Sequence, residues 1–300
     1  MSNFSTTLQP FNLANEAGYQ TWRAAKLANV AAHAADRVVP VKDAASLTEQ
    51  EHATILERCR HSNLAIYEIT GGGETDKQAI RAFGRQFGLE RMDMNLRADE
   101  DSITSLRVVE ASAGTHYIPY TNRPLNWHTD GYYNRLDEQV RGIVMHCVST
   151  SASGGDNLFL DPEIAYLLLR DENPDYIKAL MQPDAMTIPP NIEAGVELRP
   201  ARSGPVFSIA DDGGALHMRY TARTRSIEWK DDRETRLAAG FLLELLSNDS
   251  IYIIRHRLCA GQGIICNNVL HRREAFNDDA ASGQQRLLYR ARYHDRIHGT

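Results

Sequence analysis

The sequence has few cysteines, and none has a spacing typical of metal fingers. The four, Cys59, Cys147, Cys259 and Cys266, include no CxxC pair. Scattered thiols of this kind are typical of proteins that stay reduced, so they argue against a disulfide framework. The first thirty residues also lack the apolar core of a secretory signal, because charged side chains such as Glu16 interrupt them. We therefore expect a cytoplasmic protein.

Long hydrophobic runs and an excess of positive charge are absent as well. No stretch approaches the roughly eighteen consecutive apolar residues that a membrane-spanning helix needs. The 33 basic and 39 acidic residues give a net charge of −6, which argues against a general binder of nucleic acids or anionic membranes. The expected partner is therefore a small molecule, with no nucleic acid and no membrane. A homo-oligomer is left open.

Internal repeats and linkers are also missing, so we expect one domain over residues 1–300. Residues 1–104 are expected to form a helical and mixed N-terminal flank, in which Thr48 and Glu51 have the spacing of a capping box. Residues 105–295 contain short β-rich runs separated by turn clusters. Many short strands with helical insertions are typical of a double-stranded β-helix, the jelly-roll or cupin-like barrel. The predicted fold class is mainly β with flanking helices.

The predicted strands are short and widely spaced. They are Asn63–Ile69, Ser105–Glu110, Val140–Val148, Val206–Ile209, Leu216–Thr221, Ser250–Arg257, Gly263–Asn267 and Arg286–Tyr293. Two helical segments, Pro162–Leu180 and Asp231–Leu246, are expected between them. No GxGxxG motif follows a strand, which argues against a dinucleotide-binding fold.

The segment Asn126-Trp127-His128-Thr129-Asp130-Gly131 is the strongest local signal for chemistry. In an extended chain, His128 and Asp130 point to the same face and can reach one metal ion. His271, which follows an apolar run, is a candidate third ligand. Two imidazoles and one carboxylate on one face form the facial triad that leaves open coordination positions on iron(II). An HxD tripeptide alone is weak, because roughly one is expected by chance in a chain of this composition. A hydrogen-bonded strand histidine and an aspartate in a turn are the alternative.

A row of arginines lies downstream. Alternation over Arg286–Tyr293 places Arg286, Arg290 and Arg292 on one face of a strand. This face either points to solvent, with the Leu287 side of the strand turned inward, or lines a pocket for anions. A guanidinium can grip a carboxylate with two parallel hydrogen bonds, which suits the distal carboxylate of a dicarboxylic co-substrate.

Four motifs occur in a fixed order along the chain. They are Trp127-His128-Thr129-Asp130-Gly131, Gly154-Gly155-Asp156-Asn157-Leu158-Phe159, Gly261-Gln262-Gly263-Ile264-Ile265-Cys266-Asn267-Asn268-Val269-Leu270-His271 and Gln285-Arg286-Leu287-Leu288-Tyr289-Arg290. Together they resemble the iron(II)/2-oxoglutarate-dependent oxygenases of the taurine dioxygenase-like superfamily, which includes the γ-butyrobetaine hydroxylases. The resemblance covers roughly residues 105–295.

The resemblance implies that His128, Asp130 and His271 bind iron(II) and that Arg286 binds the 5-carboxylate of 2-oxoglutarate. Relatives have a threonine in the GGD turn that helps to hold this carboxylate. This chain has Asn157 there, and its amide can still donate a hydrogen bond. The chain also departs from the family at Gln262, where relatives have an acidic residue, and at Asn267-Asn268, where they have Asp-Asn. These departures affect hairpin support and not the ligands.

The substrate side is less defined. Arg290 has the position at which sulfonate-using relatives hold the substrate anion, and a structural ion pair is the alternative for this arginine. Arg223, within the basic cluster of Arg219, Arg223 and Arg225, is a second candidate substrate contact, and a solvated surface is the alternative for the cluster. An anionic small substrate is therefore one of the options.

The predicted function is iron(II)- and 2-oxoglutarate-dependent oxygenation of a small molecule. The resemblance implies that dioxygen is consumed, that a C–H bond is hydroxylated, and that succinate and CO2 are released, with the iron centre itself as the catalytic group. Desaturation and cyclisation begin in the same way and stay open. Two alternatives remain from the residues alone: a jelly-roll metalloenzyme that does not use 2-oxoglutarate, and a ligand-binding barrel without turnover.

Overall fold

The computed structural model describes residues 9–32, 38–72, 75–94, 102–109, 118–210, 214–223 and 227–300. Within these ranges the chain is mostly β with several helices, as predicted. The helices are α1 (Glu16–Ala32), α2 (Glu49–Ser62), α3 (Lys77–Gln86), α4 (Pro162–Glu172), α5 (Pro174–Leu180) and α6 (Arg233–Ser247). No helix in the described part of the chain is both long and apolar enough to cross a bilayer.

The strands are mostly three to eight residues long. They are β1 (Val38–Val41), β2 (Leu64–Ile69), β3 (Thr104–Leu106), β4 (Leu125–His128), β5 (Gly142–Ser149), β6 (Ser153–Gly154), β7 (Asn157–Leu160), β8 (Met186–Ile188), β9 (Asn191–Glu193), β10 (Val196–Arg199), β11 (Arg202–Gly204), β12 (Phe207–Ile209), β13 (Leu216–Met218), β14 (Glu228–Trp229), β15 (Ile254–His256), β16 (Gln262–Cys266), β17 (Leu270–Arg273), β18 (Phe276–Asn277) and β19 (Leu287–Tyr293).

Contacts between backbone positions divide the described residues into two units. The first unit takes its residues from 1–32, 126–139 and 160–253, and the second from 33–125, 140–159 and 254–300. The single domain over 1–300 and its boundary at residue 104 stay predictions. Strands β1 and β2 precede that boundary and are nevertheless part of the largest sheet of the second unit.

This largest sheet has six strands in the order β1-β2-β16-β5-β19-β3. Its centre is antiparallel, with Ile264 opposite Met145 and Ala291 opposite Val144. One face packs against α2 and α3, where Ile55 and Phe83 meet sheet residues such as Val144. The other face packs in a separate cluster that includes Ile264 and Met145. Successive residues of one strand thus enter different cores, as the period of two requires.

A second sheet of this unit contains β15, β7 and β17 side by side in that order. His256 of β15 lies opposite Asn157 of β7, which places the start of β7 beside the end of β15. Strand β6, which precedes β7 in the chain, pairs with β18, which follows β17, and Phe276 lies opposite Gly154. Gly154 has a φ of 70°, and a Cβ atom there would lie 2.4 Å from the carbonyl oxygen of Ala275. The turn therefore requires glycine.

The first unit combines α1, α4, α5 and α6 with short strand pairs. Its core is aromatic: the ring centres of Phe11 and Tyr166 lie 5.2 Å apart, and those of Tyr166 and Phe207 lie 5.6 Å apart. The predicted helix Pro162–Leu180 is wrong in one respect, since it is two helices. Asn173 caps α5 and Pro174 occupies its first turn, where a ring without an N–H ends α4 and begins the next helix.

The other predicted elements are present with shifts of a few residues at their ends. The capping box of Thr48 and Glu51 is formed at the start of α2, as its spacing predicts. Strand β13 ends at Met218, three residues before the predicted end, and β15 covers three of the eight predicted residues. Glu110, the predicted end of a strand, and Arg225 of the basic cluster lie outside the described residues.

Candidate metal centre

Strand β4 brings His128 to the start of a fixed turn. The indole of the buried Trp127 donates to the carbonyl of Leu246 at 2.7 Å. The backbone N–H of Thr129 donates to the carbonyl of Tyr220 at 2.9 Å, and the Thr129 hydroxyl accepts from the N–H of Tyr220 at 3.1 Å. Gly131 then leaves the extended conformation with a φ of 68°. These contacts hold the two candidate ligands of this segment in place.

His128, Asp130 and His271 come together as the sequence predicts. One candidate ligand atom from each of the three side chains lies within 4.8 Å of the other two. The distance between Nε2 of His128 and Oδ1 of Asp130 is 3.5 Å. All three side chains are buried. No second group of three or more His, Cys, Asp or Glu side chains with this geometry occurs among the residues that the structure describes.

Both imidazoles are oriented by the backbone two residues earlier. Nδ1 of His128 lies 2.8 Å from the carbonyl oxygen of Asn126, and Nδ1 of His271 lies 2.8 Å from that of Val269. A carbonyl only accepts, so each Nδ1 carries a proton, and the lone pair that can bind a metal is on Nε2. A hydrogen bond from the ring nitrogen that does not bind the metal to a backbone carbonyl is typical of metal-binding histidines. Two such nitrogens and one carboxylate fit iron(II).

A cavity in the second unit contains both predicted co-substrate residues. Arg286 and Asn157 line it, together with Cys147, Thr150, Ser151, Gly154, Gly155, Arg257, Leu258 and Leu288. Both predicted residues are buried, with 6% of each exposed. No acidic side chain is among these lining residues. The cavity therefore has the charge and polarity of an anion site.

The Arg286 guanidinium keeps its hydrogen-bond donors available. Its centre lies 5.1 Å from the ring centre of Phe276, and no described protein group accepts a hydrogen bond from its side chain. Burial lowers the pKa of Arg286 to about 10, so the group is charged at neutral pH. A buried cation without a protein acceptor is costly unless a ligand supplies the negative charge.

The arginines of β19 do not form a solvated face. Arg286, Arg290 and Arg292 are all buried, and Leu288 between them belongs to the core cluster of Ile264 and Met145. The solvent-facing alternative is therefore wrong, because this face of β19 points into the protein. Arg292 forms a buried ion pair with Asp93. Within the strand, Arg290 lies opposite Met145 of β5 and Thr104 of β3.

The basic cluster of the first unit separates into different environments. Arg223 is exposed, and no described group accepts a hydrogen bond from its side chain. Arg219 is buried and donates to the backbone carbonyls of Tyr132, Met186, Gly204 and Arg202. Arg219 thus has a structural role, whereas the Arg223 side chain is accessible to a ligand.

The departures from the family pattern concern support of the backbone, as expected. The Gln262 side-chain oxygen accepts from the N–H of Cys259 at 3.1 Å and lies 2.9 Å from Nε2 of His256. Asn268 has a φ of 50° and its amide donates to the carbonyl of Val140 at 2.6 Å. Asn267 donates to the side chains of Asn63 and Thr300. These contacts fix the turn before His271.

Sequence reasoning missed Arg273, two residues after His271. Its buried guanidinium donates to the carbonyls of Pro119, Thr121 and Arg123, in the segment before β4. It also lies 4.9 Å from the ring centre of Phe276. Burial, followed by the nearby charge of Arg286, lowers the pKa of Arg273 to about 9. The basic pair that follows His271 was the available signal.

Known proteins are similar to this chain in sequence or in fold. A uridine-5′-phosphate dioxygenase of Amycolatopsis sp is 31% identical over 175 residues, which are 54% of this chain and 60% of that protein. A uridine-5′-phosphate dioxygenase of Streptomyces sp is 28% identical over 222 residues, which are 71% of this chain and 77% of that protein. The chain thus spans less than two thirds of the length of the first of these relatives.

A solved structure of asparagine oxygenase in complex with Fe(II), 2S,3S-3-hydroxyasparagine and succinate has the same fold. Its TM-score is 0.59 at 13% identity, and 91% of each chain is covered. The family model described as taurine catabolism dioxygenase TauD, TfdA family matches residues 27–292. This match confirms the resemblance of the sequence to the taurine dioxygenase-like oxygenases. The chain belongs to the TauD/TfdA dioxygenase family.

Proposed function

We propose that this protein hydroxylates a C–H bond of a small anionic molecule, with His128, Asp130 and His271 as its iron(II) ligands. The observation that carries the proposal is the meeting of these three side chains, whose ligand atoms lie within 4.8 Å of one another. The overall reaction consumes 2-oxoglutarate and dioxygen and yields the hydroxylated product, succinate and CO2. We also propose a double-stranded β-helix as the core that holds the ligands.

The three ligands have defined tasks in this proposal. His128 and His271 present neutral Nε2 atoms, because their Nδ1 protons are held by backbone carbonyls. Asp130 adds one negative charge. Together these three side chains would hold iron(II), because two imidazoles and one carboxylate are a donor set that suits this ion. Bound iron(II) supplies dioxygen activation coupled to decarboxylation of the keto acid.

Arg286 is the proposed anchor of the distal carboxylate of 2-oxoglutarate. It is buried, it lines a cavity without acidic side chains, and its donors are available. Arg273, whose guanidinium contacts the same Phe276 ring as Arg286, adds a second buried positive charge to this region. A dicarboxylate would balance both charges. Asn157 is the proposed second contact, although its amide also donates to the carbonyl of Gly155 at 3.5 Å.

For the substrate we propose a phosphorylated nucleoside. Two relatives named as uridine-5′-phosphate dioxygenases support this class. Arg290 and Arg223 are the proposed contacts of the substrate anion, and their positive charges suit a phosphate. Arg290 is buried on the Arg286 face of β19, and Arg223 is exposed.

The four cysteines are free thiols, which agrees with the expected cytoplasmic location. That location and an oligomeric state stay predictions.

The metal proposal is tested under anaerobic conditions. Iron(II) and 2-oxoglutarate should give a weak visible charge-transfer band with the wild type, and His128→Ala and His271→Ala should each abolish it. His61→Ala is the matched control, since His61 lies on α2 outside the metal group. If the wild type binds no iron(II) and shows no band, the proposal fails.

The co-substrate and substrate proposals are tested by succinate formation. Uridine 5′-monophosphate should stimulate succinate release, whereas uridine should do so much less. Arg290→Met and Arg223→Met should raise the KM for the nucleotide and leave the iron(II)/2-oxoglutarate band unchanged. Arg286→Ala should raise the KM for 2-oxoglutarate. An Arg286→Ala enzyme with wild-type turnover would instead favour a metalloenzyme that does not use this keto acid.

A further inference from the structure

The cavity around Arg286 contains two polar groups that the proposed function leaves unused, Thr150 and Arg257. Thr150 follows the last residue of β5, Ser149, whose hydroxyl donates to the carbonyl of Gln285. Arg257 follows the last residue of β15 and donates to the carbonyl of Ser151 at 2.7 Å. Backbone contacts thus hold both groups at the cavity wall.

Two other polar side chains of the cavity, Ser151 and Asn157, already form hydrogen bonds within the protein. The Ser151 hydroxyl donates to the carbonyl of Gly154 at 3.2 Å, and the Asn157 amide donates to the carbonyl of Gly155. The half-buried Thr150 hydroxyl, in contrast, has no hydrogen-bond partner in the described part of the chain. A hydroxyl donates one hydrogen bond, so Thr150 has this capacity available for a ligand.

The charges of the wall define the ligand. Arg286 and Arg257 both line the cavity, and both act on the Cys147 thiol by lowering its pKa against the larger upward effect of burial. Two guanidinium groups therefore contribute to the wall of one small cavity, and none of its lining residues has a carboxylate. A carboxylate ligand offers about four lone-pair sites, of which the fork of one arginine takes two. The remaining sites need further donors.

We infer that Thr150 and Arg257 complete the binding site for the distal carboxylate of 2-oxoglutarate. The Thr150 hydroxyl donates to one carboxylate oxygen, and the Arg257 guanidinium closes the solvent side of the cavity. Arg286 holds the same carboxylate from the buried side. This inference rests on the proposed function, which assigns the cavity to the co-substrate.

The test for Thr150 uses binding and not turnover. Glutarate, a dicarboxylate without the keto group, is titrated into the metal-free protein by calorimetry, and 2-oxoglutarate is titrated anaerobically into the iron(II) protein by its visible band. Thr150→Val removes the hydroxyl at nearly constant volume and should weaken both ligands about tenfold, as a hydrogen bond to a charged group predicts. Thr150→Ser keeps the hydroxyl and should bind within about twofold of the wild type.

Thr54→Val is the matched control for the threonine. Thr54 lies on α2, and its hydroxyl donates to the carbonyl of Gln50, so this change should leave both affinities unchanged. For the arginine, Arg257→Gln is compared with Arg255→Gln. Arg255 lies two residues away and pairs with Asp156 and Glu274 outside the lining of the cavity. Both variants lose one charge, but only Arg257→Gln should weaken the ligands several-fold and reduce their salt dependence.

The outcomes separate this inference from the proposed function. Wild-type affinities for both ligands in Thr150→Val and Arg257→Gln would overturn the inference, while an intact visible band would leave the proposed function in place. An absent band in the wild type would overturn the proposed function, and glutarate binding to the metal-free protein would still test the two residues. If Thr150→Val does not fold by circular dichroism, Arg257→Gln against Arg255→Gln decides.

Discussion

Arg286 packs its guanidinium against the ring of Phe276, at 5.1 Å from the ring centre. The same ring contacts Arg273 at 4.9 Å. An aromatic face attracts a cation without using its N–H donors. Phe276 therefore stabilises two buried cations and leaves the donors of Arg286 for a ligand, which a carboxylate partner in the protein would not do.

Phe276→Leu should weaken 2-oxoglutarate binding. Leucine keeps most of the apolar volume but removes the ring face, so about 1 kcal/mol of cation stabilisation is lost and the dissociation constant rises about fivefold. Anaerobic titration of the visible band measures this. Phe241→Leu on α6 is the control for ring removal elsewhere. Equal affinities in both variants would contradict a role of the ring in placing Arg286.

Arg219→Lys should lower both stability and iron(II) affinity. Arg219 donates to four backbone carbonyls, including that of Tyr132, two residues after Asp130. Lysine keeps the charge but cannot reach four acceptors in different directions. Unsatisfied buried acceptors should reduce the free energy of unfolding by about 2–4 kcal/mol, and the loosened turn should weaken the metal site.

Urea unfolding and iron(II) titration measure the two effects of Arg219→Lys. Arg233→Lys is the matched control, because the Arg233 side chain is 80% exposed at the start of α6. Loss of stability with unchanged iron(II) affinity would mean that the metal site does not depend on the hydrogen bonds that Arg219 donates.

The sequence was sufficient to predict that His128, Asp130 and His271 meet, because the reason for their grouping is partly local. His128 and Asp130 share a face of an extended segment, and His271 follows an apolar strand. The arginines of β19 were ambiguous, since strand alternation gives a shared face but not its side. The structure decides this, because Leu288 on the same face belongs to a buried cluster.

The hydrogen bonds from buried arginines to backbone carbonyls could not be predicted from the sequence. Arg219 and Arg273 bind backbone carbonyls, and every residue type offers a carbonyl, so no residue pattern marks their partners. The carbonyls that accept from Arg273 lie about 150 residues earlier in the chain, at Pro119, Thr121 and Arg123. Only the folded chain brings them together. The break between α4 and α5, in contrast, was readable from Pro174.

Arg273→Lys should uncouple co-substrate use from substrate oxidation. The change removes hydrogen bonds to the segment before β4 and keeps the positive charge. That segment leads into His128, so we expect a less ordered site in which 2-oxoglutarate is consumed without an equal amount of product. The ratio of succinate to hydroxylated product measures this. Arg272→Lys, whose side chain pairs with Glu274, is the neighbouring control and should keep the ratio near one.

His146 should make the stability of the protein sensitive to mild acid. Burial lowers the pKa of His146 from 6.5 to about 4. The ring is therefore protonated at a lower pH in the folded state than in the unfolded state. Between these two values the unfolded state therefore takes up more protons, and the free energy of unfolding falls as the pH falls from about 6.5 to 4. At 1.36 kcal/mol per pKa unit, the loss attributable to this ring is about 3 kcal/mol.

Urea unfolding of the wild type and His146→Gln at several pH values between 7 and 4 isolates this effect. Glutamine does not titrate, so the variant should lose less stability over this range, whereas carboxylates contribute equally to both proteins. His61→Gln, at a partly exposed site on α2, should follow the wild-type curve.

The Tyr67 hydroxyl lies 3.4 Å from Nδ1 of His146, so Tyr67→Phe tests whether this contact helps to keep the ring neutral. Parallel curves for wild type and His146→Gln would show that the ring does not titrate in this range.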